Sequence, residues 1–181
     1  MITQTEYRSA QEEAVRQLNA TGITLTDAEK ERIEVADFGL GRLTVEGLQL
    51  ITYTNTERVC AKDLVLTPGQ TCPEHRHPPV GDDPGKEETF RCRSGIVYVY
   101  TEGGGNKDTI SATLPASGSH YTVFRESILR PGEQVMIPPD TLHWFQGGTD
   151  GAVVSEFSTR SRDEYDIFTD PRVGRITEIS G

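Results

Sequence analysis

From Gly47 onward the chain is a succession of short runs rich in β-branched and aromatic residues, and this rhythm limits the fold more than any other feature. LQLITYTN, RVCAKDLVL, ETFRCR, GIVYVYTE, HYTVFRESILR, QVMIP, HWFQ and AVVSEFST alternate with turn-forming clusters such as TPGQ, EGGGNKD, RPGE, PPDT and GGTDG. Runs of this length favour strands, and the Gly, Pro, Asn and Asp between them supply the reversals. With no helix between them, these eight strands lack the crossovers of a parallel sheet, so an antiparallel sandwich or barrel is expected.

Two short helices are expected before the strands. TQTEYRSAQEEAVRQLNATG offers Thr and Ser residues able to cap, a stripe of Ala10, Ala14, Val15 and Leu18, and a closing glycine. TDAEKERIEVADFG opens with Thr26 three residues before Glu29, the spacing of a capping box, and closes at Gly39. One domain is therefore expected: a helical segment over 1–46, a β-barrel over 47–158, and a polar tail over 159–181 that packs back on the barrel as a loop.

The net charge of −10 argues against nucleic acid and against an acidic membrane surface, both of which need a basic face. No apolar run approaches the ~20 residues of a membrane span. The first residues lack the basic start and apolar stretch of a secretory signal. Cys60, Cys72 and Cys92 have no CxxC spacing and read as reduced thiols. A cytoplasmic protein is expected.

Only four histidines occur, and two of them, His75 and His77, stand one residue apart in CPEHRHPPVGDDPGKEETFRCRSG. Residues two apart on an extended chain point the same way, so both imidazoles can reach one point, and Pro78-Pro79 favours extension. Glu87 and Glu88 compete for a third ligand position. Glu88 shares a face with Phe90 and Cys92, which seek the interior, so Glu88 points inward. His143, in IPPDTLHWF, completes the set. Three imidazoles and a carboxylate suit Mn, Fe, Co, Ni or Zn. The remaining histidine, His120, lies outside this pattern and is expected to be structural or at the surface.

The arrangement resembles the two cupin motifs. Gly69, His75, His77, Glu88 and Gly95 match the first, with a longer insertion before the glutamate. Gly132, Pro138 and His143 match the second, with Asp140 where a glycine is common. The resemblance implies an all-β fold, a cupin double-stranded β-helix (jelly-roll) barrel with short N-terminal helices.

Two inward-facing charges stand beside this set. Lys62 alternates with Cys60, Leu64 and Leu66, and a lysine aimed into a barrel is costly unless paired. Its alternative is to snorkel out at the rim. Glu156 alternates with Ala152 and Val154. It is either a general base or the partner of Lys62 or Arg160 at a strand end. A metal, a lysine and a glutamate together suit proton abstraction beside a carbonyl.

YTNTERVCAKDLVLTPGQTCPEHRHPP, GKEETFRCRSGIVYVY, HYTVF, IPPDTLHWFQGG, GAVVSEFST and DIFTDPR together resemble the D-lyxose isomerase family of cupin sugar isomerases. The resemblance implies conversion of D-lyxose to D-xylulose, with D-mannose to D-fructose as a second reaction, through a cis-enediol. It implies Mn²⁺ on His75, His77, Glu88 and His143, Lys62 as the active-site lysine and Glu156 as the base. Glu74, Arg162 and Asp166 are candidate sugar contacts, and a homodimer is expected. The rivals are a cupin non-haem iron dioxygenase and a non-catalytic sugar-binding cupin. Neither needs the pair Lys62 and Glu156.

Overall fold

A computed structural model describes residues 1–180. Strand β1 (Ile2–Thr3) leads into helix α1 (Gln4–Ala20), followed by α2 (Asp27–Glu31) and β2 (Glu34–Ala36). Both helices start from a capping box, Thr3 with Glu6 and Thr26 with Glu29. The second helix stops well short of Gly39. Its Ile-Glu-Val-Ala continuation instead pairs antiparallel with β3 (Leu48–Asn55), where Val35 and Ala36 are buried. Sheet pairing and burial override the helical reading of that run.

The remaining strands are β4 (Cys60–Leu66), β5 (Thr71–Arg76), β6 (Glu88–Thr101), β7 (Arg125–Leu129), β8 (Gln134–Ile137), β9 (His143–Ser158), β10 (Ile167–Phe168) and β11 (Ile179–Ser180). Nine of the strands form one antiparallel sheet, in the order β10-β5-β9-β4-β3-β2, with β6 joining β9 to β7 and β8. Two long strands organise it. Residues His143–Gln146 of β9 pair with β5 and residues 152–158 with β4, while β6 runs along β9 on the other side.

ETFRCR and GIVYVYTE, read from sequence as separate strands, are one strand, as are HWFQ and AVVSEFST. The glycines between them make bends rather than reversals. Gly95 has φ +69°, and a Cβ on it would lie 2.1 Å from the carbonyl oxygen of Gly151, so the two long strands cross at a point only glycine fits. Gly95→Ala should therefore destabilise the fold by about 3 kcal/mol. A urea midpoint within error of the parent would contradict this.

Of HYTVFRESILR only the second half is a strand. Conversely, Thr71–Arg76 is a strand despite Pro73. That proline sits where the β5–β9 register shifts between Cys72 and His75, so its missing N–H costs no ladder bond.

The barrel interior packs Leu48, Leu64, Phe90, Val99, Phe145 and Val154, among others. A second cluster, with Ala14, Leu18, Ile51, Val65 and Val153, seats α1 on the outer face. The tail is no plain loop: β10 adds to β5, and β11 pairs parallel with β1. These contacts lay the tail against one end of the barrel, where the inward charged residues collect.

Candidate metal centre and active site

Pairing of β5 with β9 sets His75 opposite His143, with ring centroids 4.3 Å apart. His77, just past the end of β5, and Glu88, at the start of β6, close the group. The ligand atoms of His75, His77 and His143 lie within 4.8 Å of one another, and all three residues are buried. Glu88 Oε1 is 2.9 Å from His143 Nε2, and Glu88 Oε2 is 3.6 Å from His77 Nε2.

The donor set fits a divalent metal ion. The Nδ1 atoms of His75 and His143 lie 2.8 and 2.9 Å from the carbonyl oxygens of Pro73 and Thr141. A carbonyl only accepts, so each Nδ1 carries the proton and each Nε2 presents a lone pair to the centre. His77 Nε2, His143 Nε2 and Glu88 Oε1 are buried with no hydrogen-bond partner among the described residues. Such orphaned atoms, all converging, require an occupant to satisfy them.

Beside this cluster, Lys86 lies between two carboxylates. Its Nζ is 2.7 Å from Glu88 Oε2 and 2.7 Å from Glu156 Oε1. Burial opposes its charge most strongly, but Glu156, Glu88 and Asp163 outweigh that and raise the ammonium well above the ordinary lysine range. Lys62 stands opposite Glu156 across β4 and β9. It donates to Ser161 Oγ at 2.9 Å and to Asp163 Oδ2 at 2.9 Å. Burial lowers the Lys62 ammonium, yet Glu156 and Asp163 leave it raised. Burial pushes the Asp163 carboxyl up, and Lys62, Lys86 and Arg175 pull it far below the usual carboxylate range. Lys62, Lys86 and Asp163 are thus held charged among Glu88, Glu156 and Arg175, in a cavity whose other wall includes Phe38, Leu48, Phe90 and Phe145.

The whole chain, apart from its first few residues, matches one family: residues 6–181 align with D-lyxose isomerase. The chain belongs to the D-lyxose isomerase family. It is 59% identical over 175 residues to the D-lyxose ketol-isomerase of Cohnella laeviribosi, covering 97% of this chain and 96% of that one. It is 56% identical to the D-lyxose/D-mannose isomerase of Thermosediminibacter oceani, covering 99% of both. Among solved structures it is similar to the L-ribose isomerase of Acinetobacter sp. DL28 in complex with L-ribose, with a TM-score of 0.81 and 18% identity over 99% of this chain and 98% of that one. The L-ribose isomerase of Cellulomonas parahominis gives 0.79 at 20% identity, over 99% and 98%. These two establish the fold, the all-β cupin barrel expected from sequence.

In this member of the D-lyxose isomerase family the other expected site residues fall in different places. Glu156 and Lys62 line the cavity. The ion-pair partner of Glu156 is Lys86, neither Lys62 nor Arg160; Arg160 pairs with Glu57. Asp166 lines the cavity and lies 2.5 Å from His77 Nδ1. Arg162 pairs with Asp83 at 2.7 Å and lines a neighbouring crevice. Glu74 faces away: it is buried and accepts from the Thr122 and Val123 amides and from the Thr122 and Thr169 hydroxyls, which uses up its lone pairs. His120 is partly exposed, 3.8 Å from Asp170.

Lys86, Asp163 and Arg175 escaped the sequence reading. A signal existed for Lys86, which stands two residues before Glu88 and shares its inward face by the alternation that separates Glu88 from Glu87. Asp163 and Arg175 lie in the aperiodic tail, where no spacing marks them.

His77 gives this D-lyxose isomerase family member a pH dependence. Burial and Lys86 push its imidazole down, while Glu88 and Asp166 push it up further, to about 9. A metal ion must expel that proton to reach Nε2. Apparent metal affinity should therefore rise with pH, roughly tenfold per unit, until about pH 9. Chelator-competition titrations at successive pH values check the slope, and a flat profile would contradict it.

Proposed function

We propose that this protein is a divalent-metal-dependent aldose–ketose isomerase that interconverts D-lyxose and D-xylulose, and also D-mannose and D-fructose. The observation that carries this reading is the Lys86 bridge. It sets the Glu156 carboxylate beside the His75, His77, Glu88 and His143 cluster, in one cavity of a D-lyxose isomerase family member. The names of its two relatives, a D-lyxose ketol-isomerase and a D-lyxose/D-mannose isomerase, support the choice of sugars.

His75, His77, Glu88 and His143 would hold a divalent ion, for which Mn²⁺ is our expectation over Co²⁺, Ni²⁺, Zn²⁺ or Fe²⁺, and the ion would supply Lewis acidity to the substrate carbonyl. Glu156 is the base. Its carboxylate removes the C2 proton of the open-chain aldose and returns it to C1 through a cis-enediol, while the hydroxyl proton on O2 passes to O1, so that C2 becomes the carbonyl and C1 the carbinol. Lys86, with its Nζ 2.7 Å from Glu156 Oε1, orients that carboxylate. Lys62, held by Ser161 and Asp163, brings a fixed positive charge to the negative charge that develops on oxygen. The apolar wall of Phe38, Leu48, Phe90 and Phe145 keeps bulk water from the enediol.

The reading includes a cytoplasmic homodimer. Three buried, unpaired thiols at Cys60, Cys72 and Cys92 support a reducing compartment. Met136 and Phe157, both about half exposed, sit in one row across Thr89 on the outer sheet face and support a partner there.

D-Lyxose carrying deuterium at C2 tests the reaction. The expected result is a primary isotope effect on xylulose formation, with part of the deuterium recovered at C1 and part lost to water. Complete retention with no solvent exchange would indicate a hydride shift and contradict the role of Glu156.

A further inference from the structure

The three histidines of the metal cluster are oriented in two different ways. His75 and His143 are each fixed by a carbonyl two residues upstream, Pro73 and Thr141, so their own strands settle tautomer and ring plane. His77 lies beyond the last residue of β5 and has no such local acceptor. Its Nδ1 is held instead by Asp166 Oδ1, at 2.5 Å, from 89 residues further along the chain. Both side chains are less than a tenth exposed.

Asp166 is itself placed by tail docking. It directly precedes β10, whose Ile167 pairs with Arg76 and whose Phe168 pairs with His75. The Phe168 ring stacks on the His75 imidazole at 5.3 Å. Upstream, Asp163 accepts from Lys62. The tail thus lines the cavity with Asp163, Asp166, Phe168 and Arg175, and of these Asp166 bonds to a ligand nitrogen.

We propose that Asp166 is a positioning residue of the metal centre, whose carboxylate fixes the tautomer and ring orientation of His77 and so makes divalent-metal affinity depend on the docked C-terminal segment. This rests on the metal-binding part of the proposed function, not on the reaction. It also gives Asp166 a role different from the sugar contact expected from sequence. An acceptor behind a ligating imidazole typically changes metal affinity by about 10–100-fold. The coupling is specific to His77, because the other two imidazoles keep their carbonyls whether or not the tail is docked.

The test is a titration of EDTA-stripped, full-length protein with Mn²⁺ and with Co²⁺, in competition with a chromophoric chelator. The parent is compared with Asp166→Ala, Asp166→Asn and the exposed-tail control Glu164→Gln. Asp166→Ala should bind both metals about 10–100-fold more weakly. Asp166→Asn, whose amide oxygen can still accept from Nδ1–H, should fall between, and Glu164→Gln should match the parent. The visible absorption of the Co²⁺-loaded Asp166→Asn protein should shift, since a neutral amide accepts from Nδ1–H more weakly than the carboxylate and leaves the ligand less basic; a merely structural role would leave that spectrum unchanged.

Affinity within about threefold of the parent in a folded Asp166→Ala protein would overturn the proposal. So would a raised KM for D-lyxose at unchanged metal affinity, which would make Asp166 a sugar contact. If Asp166→Ala fails to fold, the Asp166→Asn affinity and Co²⁺ spectrum decide. Weakened metal binding in a protein whose parent converts no sugar would leave this inference standing and remove the proposed reaction. A parent that binds neither metal would remove both.

Discussion

Glu156→Gln should lower kcat for D-lyxose by about three orders of magnitude while leaving bound metal at the parent level. Glutamine keeps the length and shape of the side chain, and its amide oxygen can still accept from Lys86 Nζ, 2.7 Å away in the parent, and from Ser158 Oγ, at 3.1 Å. The amide cannot take a proton from carbon, so the chemical step is lost and the scaffold is not. Glu156 is no metal ligand in this arrangement, being linked to Glu88 only through Lys86. Turnover and metal content measured on one preparation separate the two effects. Turnover within tenfold of the parent would remove Glu156 as the base. Loss of metal together with turnover would place it among the ligands instead.

His75→Ala should lose both metal and activity, with affinity falling by more than about 100-fold. The imidazole sits at the centre of the cluster, packed on His143 at 4.3 Å and on Phe168 at 5.3 Å between ring centroids. Its backbone pairs with β9 on one side and β10 on the other, so the strand persists without the side chain. Truncation leaves a gap in a buried site and costs about 1–2 kcal/mol of stability, which an intact fold tolerates. The variant should thus remain folded, metal-free and inactive. A folded His75→Ala protein that turns over without bound metal would refute the metal centre.

The inward cluster of His75, His77, Glu88 and His143 was legible in the sequence because each lies on or beside a strand, where alternation assigns an inward face. The choice of Glu88 over Glu87 is the clearest instance, with Glu88 buried and Glu87 exposed. Lys62 and Glu156 were found by the same argument. Lys86 obeys the same rule two residues before Glu88, but it lies outside any apolar run, so that alternation was its one mark. The contribution of the tail was legible only in part: its packing on the barrel and a place for Asp166 at the site were expected, but Asp163 and Arg175 were not marked. Asp163, Asp166 and Arg175 are placed by β10 and β11, strands of two residues each, which tertiary docking alone defines. The bends at Gly95 and Gly147–Gly151 misled in the opposite direction. Glycine signals a departure from regular backbone, and a strand that bends through a bulge uses it as a reversal does. Asp140, where the cupin pattern commonly has glycine, has φ +54°, in the left-handed region that Asp tolerates better than most residues. The departure from the motif thus leaves its turn intact.

The most direct test is ketose formation from D-lyxose by EDTA-stripped protein, with and without added Mn²⁺. The account predicts no D-xylulose from the stripped protein and its production on adding the metal, with D-fructose appearing likewise from D-mannose. Silence on both sugars with metal demonstrably bound would contradict the proposed reaction, and full activity in the stripped protein would contradict the metal centre.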